Sequence, residues 1–384
     1  MKILLTPLVL GLCVSGLAIA QDPPENGPAF VFPEELSLVP EDVQRAAEEA
    51  SSAEDAAIPM GMTAAEEALY RAQIAWIDED WVSARQYAET AAAGGDVTAA
   101  VMSGLIARDG RATGEPDYAL AASWFSRAAE QDHPLALYEM GRLARREVPG
   151  VTDPRSWFER AARVGHVPGM VAYALELRES PIPQERVRSR EWAERAAQQG
   201  FAEAMYQFAQ LLDLGIGGEQ DLASARTWYE SAAAERHAEA ALQAGVMWVE
   251  GVGGPADAER GWAYIRQAAE SGYAPAQGQF GLLMLQGRGG EADPDMARYW
   301  FEQGAMGGDG ESRFLLAYVL AREAVDNRDV NLLGQAYRWS LLAHEDFTGQ
   351  PVDETRRAGL QGAIEGDLPP DLREQIRYEI NSLR

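Results

Sequence analysis

The sequence predicts an all-α chain, an αα-superhelix (solenoid) of about eight helix-pair repeats of roughly 36 residues. Three observations carry this. A nonapeptide recurs: "WFSRAAEQD" from Trp124, "WFERAARVG" from Trp157, "WAERAAQQG" from Trp192, "WYESAAAER" from Trp228, "YIRQAAESG" from Tyr264 and "WFEQGAMGG" from Trp300. Its starts lie 33, 35, 36, 36 and 36 residues apart, a period characteristic of stacked supersecondary units. Small residues recur in the same frame at Ala99, Ala136, Gly169, Ala204, Ala240, Ala276 and Ser312. Each is followed five positions on by Gly104, Gly141, Ala174, Ala209, Gly245, Gly281 or Ala317. Finally, no run shows the period-two alternation that a strand requires.

The opening "MKILLTPLVLGLCVSGLAIA" has one lysine, a short apolar run and small residues at Ala18 and Ala20, the layout of a secretory signal peptide. Residues 1–20 are therefore expected to be removed after Ala20, placing the mature chain in the periplasm or outside the cell, with no membrane insertion after cleavage. A lipidated Cys13 is the weaker reading, because Leu12 stands where a small residue belongs. Cleavage removes Lys2 and Cys13, the only lysine and the only cysteine. A chain without them has no disulfide, thiolate ligand or cysteine nucleophile, and no Schiff base, Walker lysine or Ser-x-x-Lys pair. Loss of Lys2 takes the formal charge from -27 to -28, which disfavours nucleic acid and anionic lipid. A cationic partner is one consequence of that charge; simple solubility is the other.

Residues 21–62 are rich in proline, alanine and acids ("QDPPENGPAFVFPEEL", "AAEEASSAED") and read as a disordered or weakly helical leader. The repeats follow over 63–345. In each, the small residues let a first helix, A, approach closely a second, B, on which the aromatic and the following Ala-Ala pair share one packed face. Asp117, Asp221, Asp257 and Asp293 each stand seven residues before the helix B aromatic, as N-caps, with Pro294 at the favoured next position. Asp153 stands only four before Trp157, which accounts for the short 33-residue interval. Residues 346–384 form a C-terminal helical cap.

The stretch "AMYQFAQLLDLGIGGEQDLASARTWYESAAAE" resembles the Sel1-like repeat, a relative of the tetratricopeptide repeat. The resemblance runs from about residue 64 to 345; the third and fourth units lack the glycine loop, and the first has a shorter connection, "WIDEDW". It implies a fold in which helix A lines the concave side of the solenoid. It also implies a protein that modulates other proteins in envelope regulation, polysaccharide export or cell-wall assembly. Some cysteine-rich relatives are linked to β-lactam binding, but their cysteine pattern is missing here.

The candidate sites reduce to one. The loops "GIGG", "GVGG" and "GRGG" at Gly215, Gly251 and Gly287 join helix to helix without a preceding strand or a lysine, so they are expected to end helix A in a left-handed conformation rather than to cradle phosphate. His133, His166 and His237 share the position opening helix A with Phe201 and Tyr273, too far apart for a zinc site; His344 has no evident partner. No catalytic, cofactor or metal residue stands out, and the chain reads as non-catalytic. On helix A, counting from the first small residue, offsets 2, 3 and 6 face away from the arc that the period marks as packed. They carry Tyr138, Glu139, Arg142, Tyr206, Gln207, Gln210, Gln243 and Gln279, a polar ladder expected to bind a partner in the concave groove. The function expected is a periplasmic scaffold or adaptor for an envelope protein. The rival is a glycan-binding or peptidoglycan-binding accessory protein, or a cell-wall-processing enzyme. Neither the partner nor the oligomeric state is written in the sequence.

Overall fold

The computed structural model describes residues 38, 39, 43, 44, 58–288, 291–343 and 351–382, without the side chains of 351–353. The expected signal peptide, Cys13 and His344 lie outside the described residues. Contacts divide the rest into two units. The first holds α1 (Ala64–Ile77), α2 (Trp81–Ala93), α3 (Val97–Asp109), α4 (Tyr118–Ala129), α5 (Pro134–Arg145), α6 (Pro154–Arg163), α7 (Val167–Arg178), α8 (Pro183–Ala197) and α9 (Ala202–Leu214) as far as Gln207, with Ile216–Glu219. The second holds α9 from Phe208, α10 (Leu222–Ala234), α11 (Ala238–Glu250), α12 (Ala258–Glu270), α13 (Ala274–Gln286), α14 (Pro294–Met306), α15 (Gly310–Asn327), α16 (Val330–Leu342), α17 (Pro351–Asp367) and α18 (Pro370–Asn381). The class is an all-α repeat solenoid of consecutive helix pairs, odd-numbered A helices alternating with even-numbered B helices through α16.

The helix boundaries follow from local chemistry. Asp117, Asp221, Asp257 and Asp293 cap helix B, each carboxylate accepting from the backbone N–H three residues on at 2.9 to 3.0 Å. Asp153 does the same for α6 at 3.3 Å. Gly110, Gly251 and Gly287 end their A helices in the left-handed region with φ of 65 to 71°, and Gly215 has φ 66°. The short third and fourth repeats end α5 and α7 without glycine, at Arg146 and Glu179. His166 and His237 are N-caps whose Nδ1 accepts from Gly169 and Ala240, at 2.9 and 3.2 Å. Sequence reasoning placed these histidines at the start of helix A but missed the capping, a role in which the ring nitrogen replaces the carboxylate of Asp96 or Asp309.

The core is one knob per repeat, and it is not the recurring tryptophan. Trp124, Trp157, Trp192, Trp228 and Trp300 are half-buried, whereas the next residue, Phe125, Phe158, Ala193, Tyr229 or Phe301, is at most 2% exposed. The small residue at offset 5 makes room for that knob. A Cβ on Gly104, Gly141 or Gly281 would sit 2.5, 2.4 or 2.8 Å from the ring of Phe125, Phe158 or Phe301. The tryptophans lie edge-on against the helix A aromatic at offset 4, with centroids 5.9 Å apart for Tyr173 and Trp192, 5.5 Å for Phe208 and Trp228, and 5.3 Å for Phe280 and Trp300. In the second unit, Leu360, Ile364, Leu368, Ile376 and Ile380 of α17, α18 and their connection join a cluster with Leu332, Leu333 and Tyr337 of α16.

Candidate functional site

The structure corrects the expected exposure of the ladder. Tyr138 is half-buried, Glu139 is 0% exposed, Tyr206 1%, and Gln207, Gln210, Gln243 and Gln279 are 7 to 8% exposed; only Arg142, with 37% of its side chain accessible, keeps substantial access to water. The physical reason is that an A helix is covered on nearly every side. It packs against its own helix B, against the preceding helix B and, in α1 with α3, α5 with α7 and α13 with α15, against another helix A. Ala99–Ala107 of α3 and Ala276–Leu283 of α13 are buried without interruption. A single packed arc, inferred from one helix–helix contact, undercounts those neighbours.

In the first unit the ladder brings Tyr138, Glu139 and Arg142 together. Glu139 Oε1 pairs with Arg108 at 2.9 Å and Arg142 at 3.0 Å, while its Oε2 is buried and accepts no hydrogen bond among the described residues. The Glu139 carboxylate holds Arg142 above its ordinary pKa, against the opposing effect of burial. The Arg142 guanidinium lies 6.0 Å from the Tyr138 ring centre, and that ring packs on His166 at 5.0 Å. Gln207 Nε2 donates to Glu203 Oε1 at 2.8 Å, leaving the buried Gln207 Oε1 without a donor among the described residues.

In the second unit Gln279 is left with the same unmade bond, though its acid stands on another helix, α15. Its Nε2 donates to Glu311 Oε2 at 3.5 Å, and its buried Oε1 accepts no hydrogen bond among the described residues. Gln243, at the same helix A position, and Gln210, three residues further along its helix A, are buried in that unit as well. Nearby, burial raises the pKa of both Asp213 and Tyr229, whose Oη lies 3.4 Å from Asp213 Oδ2.

The arrangement offers amide donors and acceptors at repeat spacing, which suits recognition of peptide groups rather than bond-making. Elsewhere in the first unit a cleft of about 650 Å³ is lined by Arg85, Asp117, Tyr118, Arg146 and Glu147 but by none of the ladder residues. Its Arg146 stacks 4.9 Å from the Tyr118 ring centre and donates to Tyr118 Oη at 3.0 Å, so that cation is engaged within the protein.

The Sel1 repeat family model matches residues 99–133, 155–166, 169–201, 202–237, 238–273 and 274–309. No curated protein matches the sequence. Among solved structures, a protective antigen of uropathogenic Escherichia coli with the same repeat fold is 24% identical, with a TM-score of 0.62 over 88% of this chain and 69% of that one. A Sel1 repeat protein from Oxalobacter formigenes is 24% identical, with a TM-score of 0.60 over 82% of this chain and 89% of that one. Sel1 repeat proteins are typically non-catalytic scaffolds. The six matched segments fall on consecutive A and B helices, each pair with one buried residue directly after the recurring aromatic, and the chain belongs to the Sel1 repeat family.

Proposed function

We propose that this chain is a non-catalytic periplasmic scaffold or adaptor that holds a protein partner on the helix A face of its repeats, in cell-envelope regulation or assembly. The membership in a family of typically non-catalytic scaffolds supports a protein as the class of ligand. The observation that carries the reading for this chain is the pair Gln207 and Gln279. One in each unit, they hold one repeat position, give their amide hydrogen to an acid and keep a buried carbonyl oxygen without a donor. A buried acceptor left unmade costs about 1–3 kcal/mol, so at this register position the glutamine gains by turning its carbonyl outward to a partner's N–H, which supplies the missing bond.

Gln207→Met combined with Gln279→Met tests this. Methionine keeps the volume and removes the amide, so the melting temperature should hold or rise while recovery of the partner from envelope extract falls. Unchanged recovery, together with loss of recovery in Glu194→Arg on the exposed side of α8, would move the partner to the outer helices. Sedimentation of the wild-type chain with purified peptidoglycan would favour the glycan-binding alternative.

A further inference from the structure

The helix A face of the first repeat already has an occupant, and it comes from this chain. A Cβ on Gly94 would lie 2.8 Å from Ala65 Cβ, just as one on Gly307 would lie 2.7 Å from Ala274 Cβ. Gly94 and Gly307 both stand seven residues after the helix B aromatic, Tyr87 or Trp300, so Ala65 of α1 is the structural equivalent of Ala274 of α13. In that register Tyr70 holds the position of Glu139, Gln207, Gln243 and Gln279, and Gln73 holds that of Arg142 and Gln210. The first repeat thus carries its own ladder residues, which the sequence frame alone did not reach.

On that face lie the described leader residues Leu38, Val39, Val43 and Gln44. Gln73 Nε2 donates to the backbone carbonyl of Leu38 at 2.5 Å, with both residues 5% exposed. Val39 and Val43 are buried in one apolar cluster with Tyr70 and Ile74 of α1 and Ile106 of α3, and Gln44 Nε2 closes back on the Val39 carbonyl at 2.9 Å. A glutamine of the ladder is here seen reading a peptide carbonyl. The flanking sequence from Glu34 to Asp42 carries four carboxylates on a chain of formal charge -27, so long-range repulsion opposes the docking and apolar burial with one amide contact maintains it.

We infer that the leader residues Leu38, Val39, Val43 and Gln44 form a built-in, displaceable ligand of the helix A face. By its chemistry it names the partner class: a peptide segment with apolar side chains whose backbone carbonyl meets a ladder glutamine. This rests on the helix A face being the binding surface, as proposed above. A tethered segment of this kind acts at an effective concentration in the millimolar range for short linkers, so a partner must outcompete it or bind with affinity reduced by the fraction of open chains.

The test uses the full chain and a fluorescently labelled synthetic peptide of residues 30–47 as the probe. Leu38→Asp combined with Val43→Asp should release the segment in the protein, and fluorescence anisotropy should then show the peptide binding the variant about tenfold or more tighter than the wild type. Adding Gln73→Met to that variant should weaken the peptide again. Equal binding to both chains, or binding to neither, overturns the inference. Circular dichroism checks the fold, and loss of helix in both this variant and the milder Leu38→Ala with Val43→Ala would make the segment a structural cap rather than a ligand, also overturning it. Peptide binding does not involve Gln207 or Gln279. If it fails while Gln207→Met with Gln279→Met still loses the partner, the scaffold reading stands without the built-in ligand. The opposite pair of results leaves the built-in ligand and removes the ladder.

Discussion

Replacing Gly141 with alanine puts the packing logic of every repeat under a sign test. The added methyl would lie 2.4, 2.6 and 2.8 Å from Cε1, Cδ1 and Cζ of Phe158, whereas carbon atoms settle at about 3.5–4.0 Å. Phe158 is 0% exposed, so its ring has no solvent to retreat into and α5 must move off α6. Overpacking of this kind costs about 1–3 kcal/mol. Alanine in a helix interior returns roughly 0.8–1 kcal/mol relative to glycine. The single variant should therefore lose on the order of 1 kcal/mol, the difference between those two effects. The second background decides the cause. Phe158→Ala alone should cost about 3–5 kcal/mol, but with the ring gone only the helix preference remains, and Gly141→Ala should then stabilise by about 1 kcal/mol. Urea unfolding gives the free energies, and hydrogen exchange of α5 and α6 localises them, because a repeat array need not unfold in one step. If Gly141→Ala has the same effect in both backgrounds, the small residue at offset 5 does not exist to admit the ring, and the account of the repeat core is wrong.

Two further expectations follow from particular groups. Arg155, hydrogen-bonded at 2.5 Å, together with Ser180 pushes the Glu185 carboxyl down from 4.5 to about 2. A depressed folded-state pKa stabilises above 4.5 and is lost as pH falls toward 2. The melting temperature of the wild type should therefore drop more steeply than that of Glu185→Gln across that window, and parallel curves would contradict the assignment. Gly359 lies inside α17 with nothing within 4 Å of its would-be Cβ, so Gly359→Ala should raise stability by about 1 kcal/mol in thermal melts, and a loss would show a contact there.

The helix pair, its period and its ends were legible because they are local. An aspartate seven residues before an aromatic, and a glycine at the end of helix A, act within a turn or two of themselves. Which aromatic forms the core was not legible in the same way. Trp157 and Phe158 are adjacent and both apolar, and only the approach of Gly141 from another helix decides that Phe158 is the knob. The burial of Glu139 and Gln207 escaped for a related reason: a helical wheel counts one neighbour, and an A helix here has several. Polar residues in such a position look solvated until those neighbours are in place. Leu38, Val39 and Val43 sit in a stretch whose proline and acid content reads as unstructured, and their burial depends on Tyr70, Gln73 and Ile74, some thirty residues away in sequence. Of the site, the residue types and their spacing were visible beforehand, and the missing hydrogen bonds were not.

The central claim, a partner held on the helix A face, is tested most directly by site-specific photocrosslinking in the native cell. Amine-reactive reagents are unsuited, since the only lysine is Lys2. A photoreactive residue at Glu203, exposed beside Gln207 on α9, is compared with one at Arg195, exposed on α8. The expected result is a discrete protein adduct from position 203 that disappears with Gln207→Met, and none from 195. Adducts from 195 alone would place the partner on the outer helices and contradict the account.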